Sequence, residues 1–185
     1  MNKGMPALFL DRDGVVNKNH GYVFEISNFE FYPEIFEICL IANLAKMPIV
    51  IVTNQSGIGR GYFSESEFQH LTQWMISEFR SQGVAINDVF HAADNPESKH
   101  VSILERRKPS PEMFFEAAKK FDLNLTSSVM IGDNESDMVA AQRAGIEHRI
   151  LIGDPAGSTA ASDSAVDHQQ SIEIFRKIVT RIQEY

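Results

Sequence analysis

The amino-acid sequence predicts an α/β fold: a doubly wound parallel sheet in three layers, with helices on both faces. Short apolar, β-branched runs alternate with longer segments of helical periodicity along the 185 residues, as in chains that form parallel sheets. The runs are apolar at consecutive positions, which is typical of strands buried on both faces. Since no linker or internal repeat separates two cores, we expect one domain over residues 1–185.

Two carboxylates follow the first predicted strand, residues 6–10. Asp11 and Asp13 stand one residue apart and Gly14 comes next. Open α/β sheets hold their functional groups just beyond such strand ends. Two negative charges this close repel one another, and a cation with oxygen ligands relieves the repulsion. A surface turn with solvated aspartates is the alternative, but similar arrangements after later strands favour a site.

The second strand, residues 49–52, is predicted from an unbroken β-branched run. A connection over 14–33 and a helix over 34–46 precede it, and connections of that length are often functional. The polar, glycine-spaced loop over 53–61 contains groups that can bind an anion. An ordinary turn between strand and helix is the alternative interpretation.

A capping box of Ser64 and Glu67 predicts the next helix, which runs to about Ser81. A short third strand is expected over 87–92. The polar segment over 94–107 that follows is predicted to be irregular.

Basic residues 106–108 precede the next predicted helix. Ser110 as its cap and Pro111 at its first position are favoured start signals. A solvated basic patch is the alternative interpretation of the cluster. The helix is expected over 112–121, with Phe114, Phe115 and Ala118 buried.

Acidic residues again follow the fourth predicted strand, residues 128–131. Asp133 stands at the strand end, and Asp137 lies in the first turn of the next helix, where a negative charge is favourable in its own right. The remaining predicted elements are a strand over 148–152, a loop over 153–167 and a helix over 171–183.

The composition excludes several classes of function. A net charge of −8 argues against general binding to nucleic acids or anionic membranes. The single cysteine, Cys39, lies in an apolar helical pattern, so we expect a packed core thiol and no disulfide framework. The sequence has no signal peptide or membrane-spanning run. We therefore expect a cytoplasmic protein without nucleic-acid or membrane partners, and a small single domain is compatible with a monomer.

Right-handed crossovers bring the carboxyl ends of parallel strands to one edge of a sheet. Asp11, Asp13, Thr53 and Asp133 are therefore expected to converge, with Lys108 at the start of a helix that faces the same edge. Carboxylates are ligands that Mg²⁺ prefers, whereas a hydroxyl and an ammonium group suit a phosphoryl group. These residue types predict phosphoryl chemistry with Mg²⁺.

The motifs and their order resemble those of the haloacid dehalogenase superfamily of phosphatases. The matching residues span nearly the whole chain: Asp11-Arg12-Asp13-Gly14, Thr53, Lys108-Pro109 and Gly132-Asp133 with Asp137. The resemblance implies that Asp11 is a nucleophile that forms an aspartyl-phosphate and that Asp13 is the general acid–base. It also implies Mg²⁺ bound by Asp11, Asp133 and the backbone carbonyl of Asp13.

The same resemblance implies roles for the other polar residues of the predicted site. Thr53 and Lys108 would hold the phosphoryl group. Asp137 would orient Lys108 or a metal-bound water. Asn134 stands where relatives often have lysine, which changes the local charge.

Many members of the superfamily carry a cap domain between these motifs, but here predicted strands and helices fill the intervals. We therefore expect a capless protein whose loops select the substrate. The loops resemble those of the group shared by heptose-1,7-bisphosphate 7-phosphatases and histidinol-phosphate phosphatases, which implies removal of the 7-phosphate from D-glycero-D-manno-heptose 1,7-bisphosphate. The implied substrate-binding residues are Asn19, His20, Gly21, Tyr22, Thr53, Asn54, Gln55, Ser56, Arg60, Arg107 and Lys108. Arg60 and Arg107 are the candidates for the phosphate that is not cleaved, since arginine presents a fork to phosphate oxygens.

The loop before the Arg-Lys-Pro motif departs from this group. Many members bind structural zinc there through cysteine and histidine, but the cysteine positions hold Ala92, Leu104 and Arg106. His91 and His100 alone make a poor tetrahedral site. No structural zinc is expected, and the shape of this loop leaves the substrate preference open.

Three alternatives remain. A histidinol-phosphate phosphatase would use the same chemistry on another substrate. A receiver-type phosphoaccepting signalling domain also combines carboxylates, threonine and lysine on a doubly wound sheet, but its phosphorylated aspartate follows the third strand. A non-catalytic sugar-phosphate sensor is disfavoured because every expected catalytic residue is present.

Overall fold

Six parallel strands form one sheet in the order β3-β2-β1-β4-β5-β6. The structure is a computed structural model and describes residues 4–97, 105–153 and 165–184. The α/β fold with a parallel sheet is confirmed. The strands are β1 Leu8–Leu10, β2 Ile49–Asn54, β3 Asp88–Ala92, β4 Val129–Gly132, β5 His148–Ile152 and β6 Ala165–Val166.

Helices cover both faces of the sheet and complete the three predicted layers. They are α1 Glu34–Leu44, α2 Ser56–Gly59, α3 Glu65–Ser81, α4 Glu112–Phe121, α5 Glu135–Arg143 and α6 His168–Gln183, with a 3-10 turn at Ile26–Asn28. Leu8 and Leu10 pack with buried residues of α1, α3 and α6. Phe9 points the other way and packs with buried residues of α4 and α5. This alternation follows from the period of two along a strand.

The central strand β1 lies between β2 and β4. Leu10 pairs with Ile51 on one side and with Ile131 on the other, so the three strands end close together. The strand order reverses between β1 and β4, and this type of crevice is where open α/β sheets bind ligands. The sheet thus positions the predicted motifs at one edge.

Two short elements differ from the sequence-based expectation. The segment over 53–61 contains the four-residue helix α2, and β6 lies within the predicted loop over 153–167. β6 is only two residues long and is flanked by Gly, Ala, Ser and Asp, so its sequence carries no strand periodicity. Its pairing with Leu151 and Ile152 is set by tertiary contact.

Helix α4 has the predicted bounds, but its predicted cap and buried face were partly wrong. Pro111 is the N-cap and not the first helical residue, while the predicted cap Ser110 accepts a hydrogen bond from the Glu112 N–H at 3.4 Å. Phe114 is buried, whereas Phe115 is 42% exposed. The buried face consists of Met113, Phe114 and Ala117.

The structure confirms two further predictions, the buried thiol of Cys39 and the capping box of α3. Cys39 is buried in α1, and burial raises the pKa of its thiol. The capping box of Ser64 and Glu67 is present at the start of α3. A second capping box, at Asp167 and Gln170, starts α6 three residues before the predicted Ser171.

Among the described residues, strands and helices of the sheet domain occupy the intervals between the motifs, in agreement with a capless fold. A search of the same residues finds no helix with the length and apolar character of a membrane span.

Candidate active site

A cavity of about 340 Å³ opens at the carboxyl ends of β1, β2 and β4. Most of the residues singled out in the sequence line it, together with Gly57 and Ser136. The predicted residues on its wall are Asp11, Asp13, Asn19, Gly21, Tyr22, Thr53, Asn54, Gln55, Ser56, Arg107, Lys108, Asp133, Asn134 and Asp137. His20 and Arg60 do not line it.

Lys108 is the central cation of the cavity and is only 2% exposed. Its Nζ lies 2.6 Å from Asp11 Oδ1 and 2.6 Å from Asp137 Oδ1, and it donates a third bond to the Val52 carbonyl at 2.7 Å. Burial disfavours the charged amine, but the two carboxylates outweigh this effect and raise the pKa of Lys108. The lysine therefore holds a positive charge against Asp11.

Asn54 fixes the backbone of Lys108 from the end of β2. Its Nδ2 donates to the Lys108 carbonyl at 3.0 Å, and its Oδ1 accepts from the Lys108 N–H at 3.0 Å. This pair of bonds joins the end of β2, which holds Thr53, to the Lys108-Pro109 motif. Asn54 thus braces the site in addition to lining the cavity.

The carboxylates of the cavity carry more negative charge than Lys108 can balance. Burial is the main cause that raises the pKa of Asp11 to about 8, opposed by Lys108 and reinforced by Asp137 and Asp133. Burial also raises the pKa of Asp133 to about 6, with Asp137 as the next cause. Both shifts indicate that a further cation is favourable here.

Asp11, Asp133 and Asp137 each offer an oxygen atom within 4.8 Å of the others. Such a set of carboxylates fits a hard divalent ion such as Mg²⁺. Gly14 has a φ of +99°, and a Cβ built there would lie 1.9 Å from Asp133 Oδ2. The missing side chain therefore lets the loop after β1 close against Asp133.

The side chain of Asp13 is held apart from this cluster. It accepts hydrogen bonds from Arg12, from Asn17 Nδ2 at 3.1 Å and from Gln55 Nε2 at 2.9 Å. Arg12 and Asn17 are both buried, and neither was a predicted site residue. Both follow β1 among other polar residues, and this position gave no signal of their burial.

Thr53 lies at the end of β2 and is 1% exposed. Its Oγ1 accepts from Gln55 Nε2 at 2.8 Å. The same nitrogen donates to Asp13, so Gln55 links the hydroxyl to the carboxylate.

The first turn of α5 holds the last acidic motif. Asn134 is the N-cap, and its side chain accepts from the Ser136 N–H at 3.1 Å. Asp137 Oδ2 accepts from the Asn134 N–H at 3.1 Å. This capping box leaves Asp137 Oδ1 directed at Lys108 and fixes the lysine.

Aromatic side chains join two loops at the mouth of the cavity. Tyr22 and Tyr62 meet edge to face with ring centroids 4.7 Å apart, and Phe24 stacks on Phe63 at 5.1 Å. Tyr22 has a φ of +50°, an unusual conformation for a non-glycine residue and one often found at functional sites. Tyr22 and Tyr62 are 47% and 56% exposed.

Two arginines lie near this rim. Arg60 Nη2 donates to Glu97 Oε1 at 3.0 Å. Arg107 lines the cavity, and its Nη1 is buried without a hydrogen-bond partner among the described residues. Burial lowers the pKa of Arg107, with Asp94 opposing the shift.

The histidines considered in the sequence lie away from the cavity wall. His20 is exposed, and its Nε2 is 4.0 Å from the Glu30 carboxylate. His91 Nε2 lies 3.1 Å from the Glu65 carboxylate. His100 and Leu104, which belong to the predicted zinc-free loop, fall outside the described residues.

Comparisons with known proteins agree with this fold. A family model described as HAD-hydrolase-like matches residues 105–172. A D-glycero-alpha-D-manno-heptose-1,7-bisphosphate 7-phosphatase of Burkholderia mallei is 43% identical over 164 residues, which are 86% of this chain and 87% of that protein. A D-glycero-beta-D-manno-heptose-1,7-bisphosphate 7-phosphatase of Yersinia pestis is 38% identical over 170 residues, which are 90% of each.

A solved structure of a heptose bisphosphate phosphatase has a similar fold. The D,D-heptose 1,7-bisphosphate phosphatase from B. bronchiseptica, complexed with magnesium and phosphate, is 25% identical and superposes with a TM-score of 0.80. The match covers 98% of this chain and 100% of that one.

The chain therefore belongs to the haloacid dehalogenase superfamily of hydrolases, as its motifs predict. The relatives that share most of its length are phosphatases of phosphorylated heptoses. The predicted enzyme class, hydrolysis of phosphoric monoesters, is confirmed.

Proposed function

We propose that the protein is a Mg²⁺-dependent phosphatase that removes the 7-phosphate from D-glycero-D-manno-heptose 1,7-bisphosphate through an aspartyl-phosphate. The observation that carries the proposal is Lys108, buried between Asp11 and Asp137 beside the Thr53 hydroxyl. The two relatives named for this activity, 43% and 38% identical, support the choice of substrate.

In the first proposed step, a carboxylate oxygen of Asp11 attacks the phosphorus atom. A bond from phosphorus to Asp11 forms, the bond from phosphorus to the sugar oxygen breaks, and Asp13 gives its proton to that oxygen. Lys108 and Thr53 hold the transferring group by charge and hydrogen bonding. The positive charge 2.6 Å from Asp11 offsets the repulsion between a carboxylate and a phosphate.

In the second proposed step, water attacks the aspartyl-phosphate and Asp13 takes up the proton that the water releases. The bond from phosphorus to Asp11 breaks, inorganic phosphate leaves, and the enzyme returns to its starting state. A bound Mg²⁺, with Asp11, Asp133 and the Asp13 backbone carbonyl as its proposed ligands, would neutralise negative charge on the phosphoryl oxygens.

The rim supplies the proposed contacts to the remainder of the substrate. Arg107 lines the cavity and has a buried donor, Nη1, that finds no hydrogen-bond partner within residues 4–97, 105–153 and 165–184. It suits the uncleaved 1-phosphate, because arginine binds phosphate through its fork. Arg60 would assist from the adjacent loop. The other proposed sugar contacts are Asn19, His20, Gly21, Tyr22, Asn54, Gln55 and Ser56.

We also propose that residues 1–185 act as one domain, as a cytoplasmic monomer without structural zinc. The acidic net charge of −8 supports a small-molecule substrate over a nucleic acid or an anionic membrane. Size-exclusion chromatography with light scattering, together with metal analysis of the purified protein, tests the monomer and the zinc prediction.

The substrate is tested by phosphate release from both anomers of the heptose bisphosphate, with histidinol phosphate in parallel. We expect turnover of a heptose bisphosphate that requires Mg²⁺ and stops with a chelator. Preference for histidinol phosphate would overturn the substrate assignment. A long-lived phosphoaspartate without repeated turnover would instead assign the chain to signalling.

A further inference from the structure

Arg12 stands between the two proposed catalytic aspartates, yet its side chain is only 1% exposed. An arginine is rarely buried to this degree unless it is paired. Its partner is Asp13: Nε donates to Oδ2 at 3.2 Å, and Nη2 lies 3.0 Å from Oδ1 and 2.9 Å from Oδ2. The guanidinium therefore contacts both oxygens of the proposed general acid–base.

Three other elements fix the orientation of this guanidinium. Nη2 also donates to the Val23 carbonyl at 2.7 Å and to Gln55 Oε1 at 3.3 Å. The Phe68 ring of α3 lies under the guanidinium, 5.6 Å from its carbon to the ring centroid. Since these contacts come from the surrounding scaffold, Arg12 is held in place independently of Asp13.

The contacts also define which way the Asp13 carboxylate faces. Oδ1 accepts from Asn17 on one side. Oδ2 accepts from Gln55 Nε2, the nitrogen that also donates to the Thr53 hydroxyl. One oxygen of Asp13 is therefore directed to the end of the cavity where Thr53 is proposed to hold the phosphoryl group.

This placement separates the Asp13 side chain from the carboxylates that could bind a cation. The cluster of carboxylates found within the described residues consists of Asp11, Asp133 and Asp137, and the side chain of Asp13 does not join it. A carboxylate bound to a divalent ion is a poor proton carrier. The contacts from Arg12 thus favour a role for Asp13 in proton transfer, while the neighbouring carboxylates are placed to bind a cation.

We propose that Arg12 is a positioning residue that orients Asp13 for proton transfer to and from the substrate oxygen. The inference rests on the proposed function, because it concerns the acid–base step of that reaction. A general acid must lie within hydrogen-bond reach of the leaving oxygen, and a displacement of about 1 Å can lower a rate roughly 10²-fold.

The test uses two leaving groups under single-turnover conditions, with the enzyme in saturating excess over the substrate. An alkyl phosphate needs a proton on its departing oxygen, whereas p-nitrophenyl phosphate departs as a stable anion and needs little help. We expect Arg12→Lys and Arg12→Met to slow the first chemical step on the alkyl phosphate by about 10–10²-fold. The release of p-nitrophenol should be affected at least several-fold less.

Three reference variants accompany this measurement. Asp13→Asn gives the leaving-group selectivity expected when the acid is lost. Leu71→Ala removes a buried side chain of α3 without touching Asp13, and therefore controls for general destabilisation. The double variant Arg12→Lys with Asp13→Asn should be no slower on the alkyl phosphate than Asp13→Asn alone, because the arginine acts through that carboxylate.

Equal losses on the two leaving groups, or additive losses in the double variant, would overturn the proposal. Arg12→Lys keeps the charge and carries the test if Arg12→Met does not fold. Failure of both variants to fold, while Leu71→Ala folds, would assign Arg12 to core stability and also overturn it. If Asp13→Asn itself shows no leaving-group selectivity, the acid–base part of the proposed function fails, which is a separate result.

Discussion

The floor and the rim of the cavity are built in different ways. The floor consists of Asp11, Thr53, Lys108 and Asp137, which are all buried and held at strand ends or a helix start. The rim consists of Tyr22, Tyr62 and Arg107 on loops, with Arg60 beside it, and the two tyrosines are about half exposed. The difference teaches that the sheet positions the polar groups of the floor, while the loops hold the residues proposed to contact the rest of the substrate.

The largest effect is expected from Asp11→Asn, which removes the proposed nucleophile from the floor. Turnover should fall below detection while the far-UV circular dichroism stays that of the native protein, because the amide is nearly isosteric. Asp122→Asn is a matched control: this residue is the C-cap of α4 in a left-handed conformation, which asparagine adopts readily. Unchanged turnover of Asp11→Asn would exclude the covalent mechanism.

Lys108→Met tests the stability of the floor as well as its activity. It leaves the carboxylates of Asp11 and Asp137 buried without their counter-ion, so we expect a loss of about 3–5 kcal/mol in the free energy of unfolding. Lys120→Met is the comparison, because Lys120 pairs with Asp88 on the surface with its side chain 58% exposed. That exposed pair should contribute no more than about 1 kcal/mol. Urea denaturation of both variants gives the contrast.

Asp133→Asn should lower the affinity for Mg²⁺ and raise the stability of the metal-free protein. The folded-state pKa of Asp133 is about 6, above its ordinary 3.8, so the folded protein holds a proton that the unfolded chain releases. Its ionisation therefore destabilises the metal-free fold progressively as pH rises from about 4 to about 6, and fully above that range.

Near neutral pH, metal-free Asp133→Asn should have a higher melting temperature than the wild-type protein, and Mg²⁺ should raise it less. Below about pH 4 the two metal-free proteins should converge. Thermal melts across pH, with and without Mg²⁺, check both parts. A lower melting temperature of the metal-free variant near neutral pH would contradict the charge-crowding argument.

Arg107→Ala probes the rim. We expect the KM for the bisphosphate to rise about 10- to 10²-fold, since a hydrogen bond to a charged group contributes roughly 1.5–3 kcal/mol. The KM for a sugar monophosphate should change little. Arg106→Ala is a neighbouring control, because Arg106 pairs with Glu116 and does not line the cavity. Equal effects of Arg107→Ala on both substrates would place Arg107 outside the 1-phosphate contact.

The smallest effect is expected from Tyr62→Ala, which removes the ring packed against Tyr22. Aromatic pairs contribute about 0.5–1.5 kcal/mol beyond burial, so we expect a rise of a few-fold in KM with kcat nearly unchanged. Phe115→Ala, on the exposed side of α4, should leave both constants unchanged. Steady-state kinetics on the heptose bisphosphate distinguish this outcome from a loss of kcat, which would connect the rim to the chemical step.

The sequence was most informative about the floor, for a physical reason. Strand ends in a parallel sheet must converge, so Asp11, Thr53 and Asp133 could be placed together from the strand pattern alone. Lys108 required the further expectation that its helix starts at the same edge. The structure brings these four residues to one cavity.

The contacts that depend on side-chain direction could not be predicted in the same way. Nothing in the sequence marks Arg12 as buried, because its burial depends on the adjacent Asp13 carboxylate together with a carbonyl and an aromatic ring from other segments. Arg60 was expected at the cavity and instead pairs with Glu97. Loop contacts of this kind are set by tertiary packing and leave no periodic signal.

The close contact between Gly14 and Asp133 has a consequence for engineering this scaffold. Any Cβ there would collide with Asp133, and one at Gly132 would lie 2.5 Å from the Cβ of Asp137. Segments 11–14 and 132–137 therefore pack too closely to be changed one at a time, and a designer must transfer both to a new scaffold together. Laboratory evolution toward other phosphorylated sugars is better directed at the rim loops, provided that the hydrogen bond from Arg12 to the Val23 carbonyl is kept.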